Sequence, residues 1–336
     1  MRKLLLTLML AVVAAGSAHA GKTLDGIKSR GKLRCGTSEG TAGITAPDSS
    51  GRWQGIYADF CRAIALTVLG DAEKVEFVPT TTVNRFVALQ SGEIDVLART
   101  ATATLQREAQ LGVRFAPVVL YDGQAIIVKK SLKVESVRGL RGATICIQPG
   151  STSELNIADY FRARGIPYKP VSIENLAAIE EAYRNGRCDA FSTDATPLAG
   201  LRLKMQRPDD HVLLPELLSK EPTSMAVAKG DDAFYDIVRW LVHATIEAEE
   251  MGITSRNVDE MVRTGGPAVR RLLGAEGEVG KLLGVDPRWV HHVVKTLGNY
   301  GEMYERNLGQ GSPLKLRRGL NDLWTRQGLM YAWPVR

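Results

Sequence analysis

Residues 98–108 read ARTATATLQRE, with Thr100, Thr102 and Thr104 at alternate positions and Arg107 three residues beyond the last. In an extended strand alternate residues share a face, so Thr100 and Thr102 would present their hydroxyls together. Thr104 then suits the N-cap of a following helix whose first turn holds Arg107. Hydroxyls, free backbone N–H groups and a planar guanidinium fork gathered at one place describe a site for a carboxylate. A second segment, QPGSTSEL at 148–155, has related grammar: a strand ends, Gly150 turns, and Ser151, Thr152 or Ser153 caps a helix. Asp194, which ends GRCDAFSTD, adds a carboxylate. Arginine on one rim and aspartate on the other suit a zwitterion, its carboxylate against Arg107 and its ammonium against Asp194.

Two stretches of chain that resemble each other must position these groups. Residues 75–100 and 168–194 each begin with a short strand-like run and continue as an amphipathic helix. Its apolar face is expected from Val83, Phe86, Val87 and Gln90 in the first stretch, and from Leu176, Ile179 and Tyr183 in the second. Each helix stops at a glycine, Gly92 or Gly186, and each stretch resumes as G-x-x-D followed by an apolar strand. Five residues after the aspartate stand Thr100 in one half and Asp194 in the other. Open α/β sheets bind ligands just beyond the carboxyl ends of their strands. Two such sheets facing one another would therefore enclose a cleft.

The expected division follows. Residues 1–20 form a signal peptide, 21–122 the first part of lobe 1, 123–223 lobe 2, and 224–336 the second part of lobe 1 with a C-terminal helical extension. The chain would cross between lobes near 122 and near 224, making a two-strand hinge that permits closure. The signal peptide is read from Arg2 and Lys3, the apolar run Leu4–Ala15, and the small residues Ala18 and Ala20. No later stretch is long and apolar enough to cross a bilayer.

Removing Arg2 and Lys3 lowers the formal net charge from +6 to +4, and no Lys/Arg block remains to support nucleic-acid binding. Four cysteines in an exported chain allow three disulfide connectivities. Cys35 and Cys146 each end a strand-like run, so the favoured pairs, Cys35–Cys61 and Cys146–Cys188, stay within one half each. No C-x-x-C spacing points to zinc, and neither cofactor nor metal is expected. The aromatics of the tail, Tyr300, Tyr304, Trp324, Tyr331 and Trp333, are expected to pack over lobe 1.

The segments LQSGEIDVL, ICIQPGSTSELNIADYF, GRCDAFSTD, LLPELLSKEP, GNYGEMYERNLGQGSPLK and YAWPVR resemble the periplasmic substrate-binding proteins of ABC transporters for polar amino acids. The likeness is greatest to the long general L-amino-acid-binding group. It implies the two-lobed α/β type II periplasmic binding fold and capture of a free L-amino acid for an inner-membrane permease. A monomer in the periplasm is the expected form. Carried onto this chain, the resemblance gives Arg107 the α-carboxylate, assisted by Thr102 and the amide of Thr152, and Asp194 the α-ammonium with Thr100. The chain departs from the group's pattern at Thr100, Ala101 and Ala103, where that group carries asparagine, threonine and tryptophan. Ile44 replaces an aromatic, and Glu39 is an added carboxylate expected to alter side-chain preference. A dehydratase-like enzyme on the same scaffold and a ligand-presenting sensor are the alternatives. The enzyme would need a proton shuttle in the cleft, yet His211, His243, His291 and His292 lie outside the rim segments.

Overall fold

The computed structural model describes residues 21–336, so the expected signal segment lies outside the described residues. The first sheet runs, edge to edge, Val75–Pro79, Leu33–Thr37, Val96–Thr102, Glu221–Ala228 and Val113–Phe115, with Leu120–Asp122 also paired to Glu221–Ala228. The first three strands are parallel, and Glu221–Ala228 is antiparallel to its neighbours. Helix Ile56–Leu69 is apolar almost all round, and such a helix must be covered on every side. Its residues 56–65 are all buried, between the sheet and the helices of the C-terminal region.

The second sheet repeats the plan with Lys169–Ser172, Thr144–Ile147, Ala190–Asp194, Gln124–Lys129 and His211–Leu213. Three parallel strands are again followed by an antiparallel one that comes straight from the other sheet. The G-x-x-D motifs have one job in both halves. Asp95 accepts the Arg34 backbone N–H at 2.7 Å, and Asp189 accepts that of Thr144 at 2.7 Å. Each aspartate thus ties the start of its own strand to its parallel neighbour, which sets the register of the pair.

Two segments join the sheets. The outward one passes through Gly123, where an added Cβ would lie 2.8 Å from the Ser219 carbonyl oxygen, so the two crossing segments run close together. The return begins at Glu221, ahead of the expected residue 224, because Glu221, Pro222 and Thr223 already pair with Asp122, Tyr121 and Leu120. Both favoured disulfides are formed, Cys35–Cys61 and Cys146–Cys188. Each joins a strand to the chain of its own half and closes a loop of 26 or 42 residues, a constraint worth about 3–4 kcal/mol by loop entropy.

After the long helix Asp232–Glu250 come short helices at Val258–Thr264, Pro267–Leu272, Val279–Leu282, Trp289–Leu297 and Tyr300–Asn307. Tyr300 is fully buried against the first sheet's core and donates to the Val119 carbonyl at 2.8 Å, and Tyr304 is buried beside it. The other three tail aromatics differ from expectation. Trp324, Tyr331 and Trp333 stay about half exposed, because the final segment lies on the outside of helix Asp232–Glu250. There Trp333 stacks on His243 with ring centroids 5.1 Å apart, its backbone N–H donating to His243 Nδ1.

Candidate functional site

Thr104 caps helix Leu105–Gln110, its hydroxyl accepting the Arg107 N–H at 3.2 Å. The Arg107 guanidinium folds back and donates to the Thr102 carbonyl at 2.8 Å, with Phe86 beneath it at 5.3 Å from the ring centroid. Arg107 is 9 % exposed, and burial lowers its pKa, against the opposing pull of Glu221 and Asp194. Its position is therefore fixed by backbone and ring, leaving the rest of the fork for a guest.

Asp194 ends the strand Ala190–Asp194 and precedes helix Ala195–Lys204 without capping it. The carboxylate is 6 % exposed and makes no hydrogen bond among the described residues. Burial, first, and then the like charges of Asp122 and Glu221 hold its carboxyl well above the usual range, with Arg85 and Arg107 acting the other way. A buried carboxylate without donors is costly unless a cation arrives to meet it.

Arg107 and Asp194 line one cavity between the two sheets. Thr100, Thr102, Ser151 and Thr152 line it as well, so six of the seven expected ligand-site residues converge there. Ser151 is the helix cap in its segment: its hydroxyl accepts from the Glu154 N–H at 3.1 Å and donates to the Gln148 carbonyl at 2.7 Å. Two of the threonine hydroxyls are turned to another partner. Thr102 and Thr152 both donate to Glu221 Oε2, the latter at 2.9 Å. Asn156 and Ser219 satisfy the second oxygen, so Glu221, 1 % exposed, is held by four donors from both sheets and from the crossing segment.

Glu39 is placed elsewhere. Its carboxylate accepts from Asn175 Nδ2 at 2.8 Å and from the Leu176 N–H at 3.4 Å, at the start of helix Leu176–Arg184 on the opposite sheet. It borders a neighbouring pocket, which shares Arg99, Thr100, Gln148 and Thr193 with the first. Lys204 Nζ, which donates to the Gly40 carbonyl at 2.9 Å, strengthens the same cross-cleft contact. Gly200 allows it sterically, since a Cβ there would sit 2.9 Å from the Ala42 carbonyl oxygen. Ile44 and Ala103, whose identities were expected to reshape the pocket, border neither space. Ile44 is fully buried in the first sheet's core, and Ala103 packs against the cluster around Phe86.

Two residues missed in the sequence are prominent here. Arg85 and Arg99 are buried, and both line the cavity of Arg107 and Asp194. Arg85 belongs to helix Arg85–Ser91, whose inward face is Arg85, Phe86, Ala88 and Leu89. The expected face fails because the helix starts after Val83, leaving Val83 and Val87 exposed along an inter-sheet groove beside Leu155. The available signal was Arg99, a charge inside a strand otherwise read as apolar.

The histidines do not reach the cavity. His211 Nδ1 bonds the Tyr183 hydroxyl at 2.8 Å, and His291 Nε2 lies 2.9 Å from Asp259. Among the described residues no cluster of His, Cys, Asp and Glu could hold a metal ion. No helix among them is long and apolar enough to cross a membrane.

Comparison with known proteins agrees with this geometry. The sequence profile of the bacterial extracellular solute-binding proteins, family 3, matches residues 33–256. The general L-amino acid-binding periplasmic protein AapJ of Rhizobium johnstonii is 50 % identical over 329 residues, covering 97 % of this chain and 96 % of its own. The glutamate/glutamine/aspartate/asparagine-binding protein BztA of Rhodobacter capsulatus is 46 % identical over 328 residues, covering 97 % of each. A periplasmic binding protein of an ABC transporter from Brucella ovis, solved with glutathione bound, superposes with a TM-score of 0.91 at 47 % identity, over 94 % of this chain and 99 % of that one. The two-sheet architecture is that of the type II periplasmic binding proteins.

Proposed function

The chain belongs to the bacterial extracellular solute-binding proteins of family 3, and we propose that it captures a polar L-amino acid between its sheets and delivers it to an ABC permease in the inner membrane. One observation carries the reading. Arg107 and Asp194, buried and of opposite charge, line the same cavity from opposite sheets, and the aspartate has no hydrogen-bond partner among the described residues. An α-amino acid supplies both missing groups: its carboxylate completes the Arg107 fork and its ammonium meets Asp194. Thr100 stands beside the ammonium and the Thr152 amide beside the carboxylate, while the Thr102 and Thr152 hydroxyls hold the two sheets together through Glu221. Each head group touches both halves, so the ligand favours the closed form by its differential contacts.

The binding residues in these roles are Thr100, Thr102, Arg107, Ser151, Thr152 and Asp194, with Glu39 acting on closure. Export through residues 1–20, residence in the periplasm and action as a monomer complete the proposal. The names of AapJ and BztA support an amino-acid cargo, and the glutathione in the Brucella protein extends the candidates to γ-glutamyl peptides.

Thermal unfolding of the chain from Gly21, against a panel of free amino acids and glutathione, tests it. A ligand that binds only the folded form raises the melting temperature with concentration, by about 2.7 kcal/mol of stabilisation at a hundredfold excess over Kd. A rise with one or a few α-amino acids is expected. A flat response to all of them would overturn the cargo.

A further inference from the structure

We propose that Arg85 and Arg99 form a second anion position in the cleft, which receives a carboxylate on the ligand's side chain, so that the cargo is an α-amino acid with a distal acid. This rests on the α-amino-acid reading above and narrows it.

Three guanidiniums enter one cavity, and the head group of an amino acid occupies only Arg107. Arg85 is 3 % and Arg99 6 % exposed. Every hydrogen-bond acceptor they find is neutral: the Gly150 carbonyl at 3.5 Å for Arg85, and the carbonyl and hydroxyl of Thr80 with the Thr82 hydroxyl for Arg99. Both Nε atoms are buried without a partner. Phe86 supports Arg85 at 5.0 Å, as it supports Arg107 at 5.3 Å, so one ring links the second position to the head-group arginine. A buried guanidinium without an anion is among the costlier things a fold can hold. Two side by side, bordering empty space, fit a site completed by an incoming negative charge.

The surroundings fix which charge. Burial lowers the pKa of Arg99 to about 10, and burial with the like charges of Arg99 and Arg107 lowers that of Arg85 well below the ordinary value; a guanidinium is not deprotonated in proteins. Two chain carboxylates act on Arg99, Glu39 and Asp194. Glu39 is already engaged by Asn175 and the Leu176 amide, and Asp194, which also acts on Arg85, is taken by the ligand's ammonium in the reading above. Arg99 borders both the head-group cavity and the adjoining pocket. A distal acid on a short side chain and one at the end of a γ-glutamyl extension can therefore both address it. A cationic side chain would meet like charge there.

Isothermal titration of the chain from Gly21 with L-glutamate, L-glutamine, L-lysine and γ-L-glutamylglycine tests this. L-glutamate, γ-L-glutamylglycine or both should bind at least about tenfold tighter than L-glutamine, the step expected of one charge-assisted contact, with L-lysine weakest. The dicarboxylate that binds tighter tells a free acidic amino acid from a γ-linked peptide. In Arg99→Gln and Arg85→Gln the preference over L-glutamine should fall about tenfold or more, and Arg99→Lys should restore part of it. Glutamine or lysine bound as tightly as both dicarboxylates in the wild type would overturn the second anion position and leave the amino-acid reading standing. A preference unchanged in both glutamine variants would do the same. Failure of all four ligands to bind would overturn both.

Discussion

Arg107 and Asp194 are incomplete in different ways, and each deficit predicts a different response to mutation. Arg107 is anchored by the Thr102 carbonyl and by Phe86. Arg107→Ala should abolish detectable amino-acid binding by calorimetry, a loss of at least about a hundredfold, because a buried carboxylate would be left without its fork. Asp194→Asn should weaken binding comparably while stabilising the empty protein. The folded-state pKa of Asp194 is raised above 3.8. A group raised in this way contributes its stability below the unfolded pKa, and that contribution is lost as pH rises through the folded value. Without ligand, Asp194→Asn should therefore melt above wild type at pH 7, and the gap should close as pH falls to about 4. A saturating amino acid should reverse the order at pH 7. Arg107, Asp194 and the Thr104 cap were legible because hydroxyls, arginine and aspartate recur at set offsets from G-x-x-D. Arg85 was not, since at helical spacing it lies opposite the face of Val83, Phe86, Val87 and Gln90 that was expected to be core. Nor was Glu221, which stands at the crossing and draws its donors from segments remote in sequence.

At the level of elements, Glu39 reads as a clasp between the sheets. It accepts from Asn175, the N-cap of helix Leu176–Arg184, and from the Leu176 N–H across the cleft. Glu39→Ala should weaken binding of a neutral ligand such as L-glutamine by about threefold to tenfold, with a larger radius of gyration of the part-saturated protein in solution scattering. An unchanged affinity and radius would remove Glu39 from closure. The disulfides act on folding instead. Replacing Cys146 and Cys188 by serine should lower unfolding free energy by about 3–4 kcal/mol in urea titration. Strand and helix order were largely readable, because alternation and glycine stops mark them. The apolar face of helix Arg85–Ser91 and the destination of Ile44 were not. Periodicity says which residues share a face, but not whether that face meets the core or a groove between two sheets.

For the whole molecule, two copies of one sheet plan exchange their fourth strands and face each other across the cleft. Glu221, at the return crossing, bonds residues of both sheets. Glu39 and Lys204 reach across at the far rim. The proposed ligand position thus lies between an inner and an outer contact, which suits a container that closes over its cargo. The two-lobed plan was visible in the sequence as a repeat, but the contacts that close it come from loops with no counterpart in the other half. The most direct test of the central claim compares L-glutamate with N-acetyl-L-glutamate by titration calorimetry on the chain from Gly21. Acetylation removes the ammonium and leaves the carboxylates. Loss of about a hundredfold or more in affinity is the predicted result, because Asp194 would face a neutral amide. Equal affinity for the two would contradict the assignment of a zwitterion between Arg107 and Asp194.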